Sequence, residues 1–302
     1  MDIKPWLQAF RLRTLPLAIG AITMGAFAAN VAGVFRADVY ALSLLTAILL
    51  QILSNLANDY GDFKKGTDND KRVGPKRALQ SGIISEKAML NAVILFSVAC
   101  LVSGLLLLWV SFGTFGNWQT WAMFGVGLAA IAAAIKYTVG KSAYGYSGLG
   151  DVFVFVFFGL VSVGGTYFLM AKTVDTQLLL PATCFGCLAV GVLNINNLRD
   201  ITNDKASNKI TLAVRLGRVR TQYYHLLLLL VSINAMFAFF RHNESVVMYV
   251  ANLILFIPII LSGFRVMKNK PGEEPLLNKE LKALSLGSAL LAVGLFTASF
   301  FI

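Results

Sequence analysis

The sequence predicts an all-α integral membrane protein of about nine transmembrane helices, and three observations predict it. Of 302 residues, 57% are hydrophobic and only 14% are charged. A soluble domain carries about a quarter charged residues, so this chain lacks the polar surface to cover an exterior facing water. The apolar residues also come in charge-free runs of spanning length, and the basic residues fall almost wholly on one side of those runs.

Taken in order, the runs place spans at 14–35, 39–58, 88–110, 118–137, 151–171, 176–198, 221–240, 245–264 and 283–302, one transmembrane domain over 1–302. The first is of spanning length and has no small-residue cleavage site after it, so it reads as a span and not as a cleaved signal. The third and fourth come from one uncharged stretch, 88–135. As a single helix that stretch would be ~72 Å long, far beyond one bilayer. The glycine and polar signals of a turn at 111–118 divide it. Helices are the expected spanning element throughout, because lipid leaves no partner for unpaired backbone groups and the alternation of a barrel strand is absent.

Charge sets the expected orientation. With residues 1–13 on the cytoplasmic side, 23 of the 26 Lys and Arg lie on that side, against Arg36, Lys172 and Arg241 opposite. The positive-inside rule then puts the N-terminus in the cytoplasm of a multi-pass protein of the cytoplasmic (inner) membrane. The net charge of +11 is therefore the basic face of a membrane protein facing anionic headgroups, not a nucleic-acid surface. Cys184 and Cys187 form a C-x-x-C inside an apolar run with no second pair or histidine nearby, and they read as packing residues, as does Cys100.

Acidic residues carry the functional signal. Of 15 Asp and Glu, only Asp38, Asp175 and Glu244 fall outside the basic face. Two groups sit at the ends of apolar runs: Asn58-Asp59-Tyr60-Gly61-Asp62 with Asp68 and Asp70 beyond, and Asn196-Asn197-Leu198-Arg199-Asp200 running on to Asp204. If the helices continue, Asn58 and Asp62 share a face, and Asn196, Asp200 and Asp204 line another. Clustered carboxylates at a membrane boundary repel one another and are hard to desolvate, and a divalent cation relieves both penalties. An oxygen-only donor set suits a hard ion, magnesium foremost, completed by substrate phosphate. Lys64, Lys65, Lys71, Arg72, Lys76, Arg77, Lys136, Lys141, Arg199, Lys205 and Lys209 surround the acids, as a diphosphate would require. The alternative is a solvated, salt-bridged loop. A transporter is the rival of another class, but it would place charge near mid-bilayer, where these spans have almost none.

At these residues the sequence resembles the UbiA superfamily of intramembrane prenyltransferases, over most of the chain. The family's first motif, N-D-x-x-D-x-x-x-D, corresponds to Asn58, Asp59 and Asp62, and its second, D-x-x-x-D, to Asp200 and Asp204. Longer strings at 51–68, 74–85, 137–159 and 194–217, with Arg11-Leu12-Arg13-Thr14-Leu15-Pro16 before them, resemble the branch that prenylates 1,4-dihydroxy-2-naphthoate. Two positions depart from the pattern: Gly66 stands at the last aspartate of the first motif, with Asp68 two residues on, and Asn208 stands where a glycine is usual.

The resemblance implies transfer of a polyprenyl group from polyprenyl diphosphate to the naphthoate, with decarboxylation, in menaquinone biosynthesis; the alternative within the superfamily is prenyl transfer to another aromatic acceptor. The implied partners are those two substrates and membrane lipid, with Mg2+ as cofactor; no nucleic acid and no obligate protein partner are implied. Asn58, Asp62, Asp200 and Asp204 would hold magnesium, with Asp59 and Asp68 as further candidates. Arg72, Arg77, Lys141, Arg199 and Lys209 are candidates for the diphosphate oxygens. Tyr60, Tyr137, Tyr144 and Tyr146 could face an allylic cation or anchor at the interface. Arg13 or Lys136 would meet the ring carboxylate, Asp151 could act as a base or cap its helix, and Asn196 and Asn197 complete the substrate side.

Overall fold

The computed structural model describes residues 3–69, 73–241 and 245–301. Nine helices among them are long and apolar enough to span a membrane: α1 (Lys4–Val31), α2 (Ala37–Lys64), α3 (Glu86–Phe112), α4 (Trp118–Lys136), α5 (Gly150–Ala171), α6 (Thr176–Arg199), α7 (Arg218–Arg241), α8 (Val246–Lys268) and α9 (Glu274–Phe301). Their number and order are those expected, but their ends are not. α2 runs six residues past the expected boundary at 58, through the first acidic motif to Lys64, and α9 begins well before 283. A charge-free run marks where lipid begins, whereas the backbone ladder continues into the polar boundary wherever no breaker stands. Caps fix several starts. The side chains of Ser85, Asn117 and Ser245 accept the backbone N–H of Ala88, Thr120 and Met248.

α1 is interrupted near its start. A short helix, Lys4–Phe10, ends at Arg11, whose φ of 50° is left-handed, and a 3-10 turn at Leu12–Thr14 leads into Leu15–Val31. Pro16 sits in the first turn of that segment, where its missing N–H costs nothing.

α6 is the central helix, with 78% of its apolar window buried. It packs against α5, α7, α9 and α1; α8 closes the outside of α7 and α9, and α2, α3 and α4 form the other flank. Small residues permit the closest of these approaches. A Cβ on Gly159 of α5 would lie 2.6 Å from the Ala182 carbonyl oxygen, and one on Gly186 of α6 would lie 2.9 Å from the Phe155 ring. Without a water-driven hydrophobic force between spans, such backbone contact is a main source of association. Cys184 and Cys187 lie in this packed region, buried and unpaired with each other.

Three connections cover the end of the bundle that carries the acidic motifs. Asn203, on a short helix Ile201–Ala206 after α6, donates its amide to the Thr67 carbonyl. Ile210 N–H donates to the Tyr146 carbonyl, and Arg215 to that of Ser147. Loops after α2, α4 and α6 thus interlock above the helix ends.

Candidate active site

Both acidic motifs line one cavity of about 290 Å³. From α2 come Gln51, Ser54, Asn55, Asn58 and Asp62, one helical face read at intervals of three and four residues. Asn196 enters from α6, Asp200 from the cap residue that follows it, and Asp204 from the short helix beyond. The second motif is not one unbroken helix, because α6 ends at Arg199 and a new turn starts at Ile201. Its three oxygen-bearing side chains nonetheless face the same space.

Lys209 joins the two motifs. Its Nζ lies 3.9 Å from Asp62 Oδ1 and 3.9 Å from Asp204 Oδ1, so a single buried ammonium stands between carboxylates of both helix ends. Burial would lower its pKa, but Asp62, Asp204, Asp200 and Asp68 outweigh that and hold it above the ordinary lysine value. Tyr146 supports the same cluster. Its hydroxyl donates to Asp62 Oδ1 at 2.7 Å and, having only one proton, accepts from the Thr67 hydroxyl at 2.6 Å. The Lys65 ammonium lies 3.9 Å from its ring centroid. Burial, and then the Asp62 charge, push the Tyr146 phenol pKa up, so it remains a donor.

Arg77 comes into the cavity wall from the loop after α2 and is buried. Burial opposes its charge, but Asp59 and Asp68 prevail and raise its pKa. Its Nη1 is 3.2 Å from Asp59 Oδ1, and its Nε is 3.6 Å from Asp68 Oδ1. Arg11, beside the left-handed turn of α1, donates to the same Asp59 oxygen. Asp59 is 1% exposed and does not line the cavity. It therefore differs from the expectation of a metal ligand: on α2 it is one residue from Asn58, which turns it roughly 100° away from the ligand face, toward two guanidiniums. Asp68 also lies outside the lining and beside Arg77.

Arg199 differs in a similar way. Its Nε and Nη2 hold both oxygens of Asp200, Nη2 also reaches Asn196 Oδ1 at 2.8 Å, and Nη1 reaches Asn278 Oδ1 at 2.9 Å. It orients Asp200 and has no donor turned to the cavity. Lys136, the last residue of α4, and Lys141, in the loop after it, are exposed and off the lining. Tyr60 is half-buried against the apolar cluster between α2 and α3, beside Lys64 and off the lining, and Asn197 is buried behind the lining. Asp151 shares a hydrogen bond with Tyr224 of α7 and does not reach the cavity. Arg72 lies outside the described residues. Arg13 lies near the site but not in its wall. Tyr137 and Tyr144 do line it, where expected.

Opposite the polar face of α2 is an aromatic wall. Tyr144 stacks on Phe153 at 3.9 Å between centroids, and Phe157 follows along α5. α5 winds as a π-helix over Phe155–Gly164, with the Ser162 hydroxyl donating to the Phe157 carbonyl. Such wide turns recur where a helix must present a site. Deeper still, the cavity shares Ala47, Leu50, Ala130, Val161 and Ser162 with a second one of about 130 Å³. That extension is almost wholly apolar, and Leu101, Leu105 and Leu128 in its wall are exposed on the lipid-facing exterior.

Sequence reasoning missed Arg11, Thr67 and the inner polar residues Gln51, Ser54 and Asn55. Thr67 and Arg11 are positioned by tertiary contacts alone. Helical spacing back from Asn58 would have found the others.

The donor set fits a hard cation: Asn58, Asp62, Asn196, Asp200 and Asp204 offer only oxygen, and a lysine ammonium already stands where positive charge is needed. Among the described residues no three His, Cys, Asp or Glu side chains converge to chelate one ion. A magnesium ion held here would take one or two of these carboxylates and complete its shell with water and substrate phosphate.

A polytopic helical bundle with an oxygen-lined, cation-ringed cavity at one end and an apolar extension toward lipid defines a membrane-embedded site for an amphipathic diphosphate. The chain matches the UbiA prenyltransferase family over residues 18–284, and it belongs to that family. It is 43% identical over 296 residues to the 1,4-dihydroxy-2-naphthoate octaprenyltransferase of Escherichia coli, covering 97% of this chain and 95% of that one. It is 48% identical over 240 residues to the enzyme of the same name from Haemophilus influenzae, covering 78% and 77%. Among solved structures, a UbiA homologue from Archaeoglobus fulgidus bound to DMAPP and Mg2+ superposes with a TM-score of 0.66 at 16% identity, covering 99% and 100%. An apo homologue from Aeropyrum pernix superposes at 0.68, also at 16% identity, covering 98% of each chain. At that identity the likeness is one of fold.

Proposed function

We propose that this protein transfers a polyprenyl group from polyprenyl diphosphate to 1,4-dihydroxy-2-naphthoate with loss of the ring carboxylate, a step of menaquinone biosynthesis. The observation that carries the reading is the single cavity in which Lys209 bridges Asp62 and Asp204, together with relatives of that name along nearly the whole chain. The transporter alternative is not favoured by either.

In this reading Asn58, Asp62, Asp200 and Asp204 would hold magnesium, which when bound would neutralise the diphosphate and stabilise it as a leaving group. Lys209 and Arg77 take the remaining phosphate charge. Tyr146 fixes Asp62, and Arg199 fixes Asp200. The allylic C–O bond breaks, and its electron pair leaves with diphosphate. Tyr137, Tyr144, Phe153 and Phe157 present aromatic faces to the allylic cation and exclude water from it. The acceptor ring forms the new C–C bond at the carbon that bears the carboxylate. Carbon dioxide then departs, returning the electron pair of the broken bond to the ring. No ring proton has to be removed, which accords with Asp151 being turned toward Tyr224 and away from the cavity. The apolar extension takes the lipid tail.

We further place the motif-bearing end in the cytoplasm of a bacterial inner membrane, on the charge asymmetry of the loops. The purified protein in detergent, given the naphthoate and a polyprenyl diphosphate, is expected to yield a prenylated product lacking the mass of carbon dioxide, and only with magnesium present. A product that retains the carboxylate, or none at all, would overturn the assignment.

A further inference from the structure

A third cavity, of about 240 Å³, lies beside the catalytic one, between the Lys4–Phe10 helix, the end of α2 and the loop at 75–78. Among the described residues four cations line it, Arg11, Arg13, Lys76 and Arg77, against one acid, Asp59. Asp59 is already shared by Arg11 and Arg77. Arg13 makes no hydrogen bond or ion pair among the described residues, and its nearest charges include three further arginines, Arg11, Arg199 and Arg77, with Asp200 the counter-charge. The buried Nε of Arg11 likewise has no hydrogen-bond partner. Among the described residues the lining of this pocket is therefore net positive. It is not purely polar: Leu7 and Leu12, 41% and 49% exposed, form its rim with Pro75 and Ala78. Arg11 and Arg77 line this pocket and the catalytic cavity alike, so they form the partition between the two. The Gln8 amide donates to the Lys76 carbonyl and ties the N-terminal helix to the loop.

We propose that this pocket is a vestibule that captures the carboxylated aromatic acceptor by its carboxylate and delivers it past Arg11 and Arg77 into the catalytic cavity. The proposal rests on the naphthoate reading above and adds a site outside the metal and diphosphate centre. Inorganic diphosphate would use the cations but not the apolar rim. A flat apolar ring bearing one carboxylate uses both, and the two exposed leucines put the mouth where such a molecule partitions, at the edge of the bilayer. Arg13 and Lys76 line only the vestibule, so they serve capture and not the chemical step.

The test uses the full chain in phosphatidylcholine nanodiscs, with 1-hydroxy-2-naphthoate as a fluorescent probe and 1-naphthol as its analogue without the carboxylate. Arg13→Ala and Lys76→Ala are each expected to weaken the first probe about tenfold, the scale of one lost charge-assisted hydrogen bond, and to change 1-naphthol less than about twofold; Arg13→Lys should recover most of the loss. In turnover, KM for the acceptor should rise in parallel while KM for the prenyl diphosphate stays put. Equal binding by wild type and both alanine variants would overturn the vestibule, as would equal losses for the two probes. If phosphatidylglycerol nanodiscs abolish the difference between wild type and variants, the pocket holds a lipid headgroup and the acceptor assignment is wrong. A wild type that forms product without this pattern refutes the vestibule alone; a wild type that forms none refutes the underlying function.

Discussion

Asp59 and Asp62 differ by three positions in sequence and by their whole role in the structure. Asp62 faces Lys209 and the cavity, while Asp59 faces Arg11 and Arg77. Magnesium titrations can separate the roles. Asp62→Asn or Asp204→Asn should raise the magnesium concentration needed for half-maximal rate, by about tenfold or more for the loss of one charged ligand. Asp59→Asn should leave that concentration unchanged and raise KM for the prenyl diphosphate, because it frees Arg77 from its anchor. An Asp59→Asn enzyme with a strong magnesium defect would restore Asp59 to the ligands. Lys209→Met, measured at saturating magnesium, is expected to lower kcat/KM by about 10²-fold, the size found when a single charge-stabilising donor is removed from an active site; a rate within threefold of wild type would contradict its placement. The acids were legible in the sequence because spacing of four on a helix is a local rule. Which cation bonds which acid was not, since Arg199 is spent on Asp200, Asn196 and Asn278, a choice made by tertiary packing.

The site depends on how closely α2 meets the chain beyond α4. A Cβ on Gly61 would lie 2.4 Å from Thr138 Oγ1 and 2.7 Å from the Thr138 carbonyl carbon. That approach puts the Thr138 hydroxyl in hydrogen-bond reach of the Ala57 carbonyl and of Asn58 Oδ1, next in sequence to Tyr137 in the cavity wall. Gly61→Ala should lower thermal stability by about 1–3 kcal/mol, the usual effect of overpacking, and reduce turnover as α2 and Tyr137 part. Thr138→Ala added to it should recover only a fraction, because the backbone clash remains. A fully stable Gly61→Ala protein would mean the helices are looser than drawn here. The spans themselves could be read from apolar runs, since lipid admits no other solution, but the helix ends could not. Lys64 and Arg218 lie inside helices although they lie outside the runs. The two departures from the family pattern become intelligible only from the backbone. Gly66 adopts a φ of +69° and turns the chain after α2, where an aspartate would be strained. Asn208, at φ 54°, takes a left-handed position that glycine fills more easily, and asparagine is among the residues that tolerate it.

Across the whole molecule, charge and site are arranged on one axis. The basic loops, the acidic motifs and the vestibule share one end, while Arg36 and Lys172 mark the other, where Arg36 donates to the Val110 and Ser111 carbonyls at the end of α3. Lys172 there lies over the Phe112 ring at 4.2 Å, and burial lowers its pKa to about 8. The orientation can be measured directly. The three native cysteines are buried, so a cysteine introduced at exposed Ser142 or Val174 reports its own side. In intact spheroplasts a membrane-impermeant maleimide should label Val174→Cys and spare Ser142→Cys, with both labelled after lysis. The reverse pattern would place the diphosphate site outside the cytoplasm, away from any supply of a phosphorylated substrate, and the charge argument would fail together with the proposed route of the acceptor.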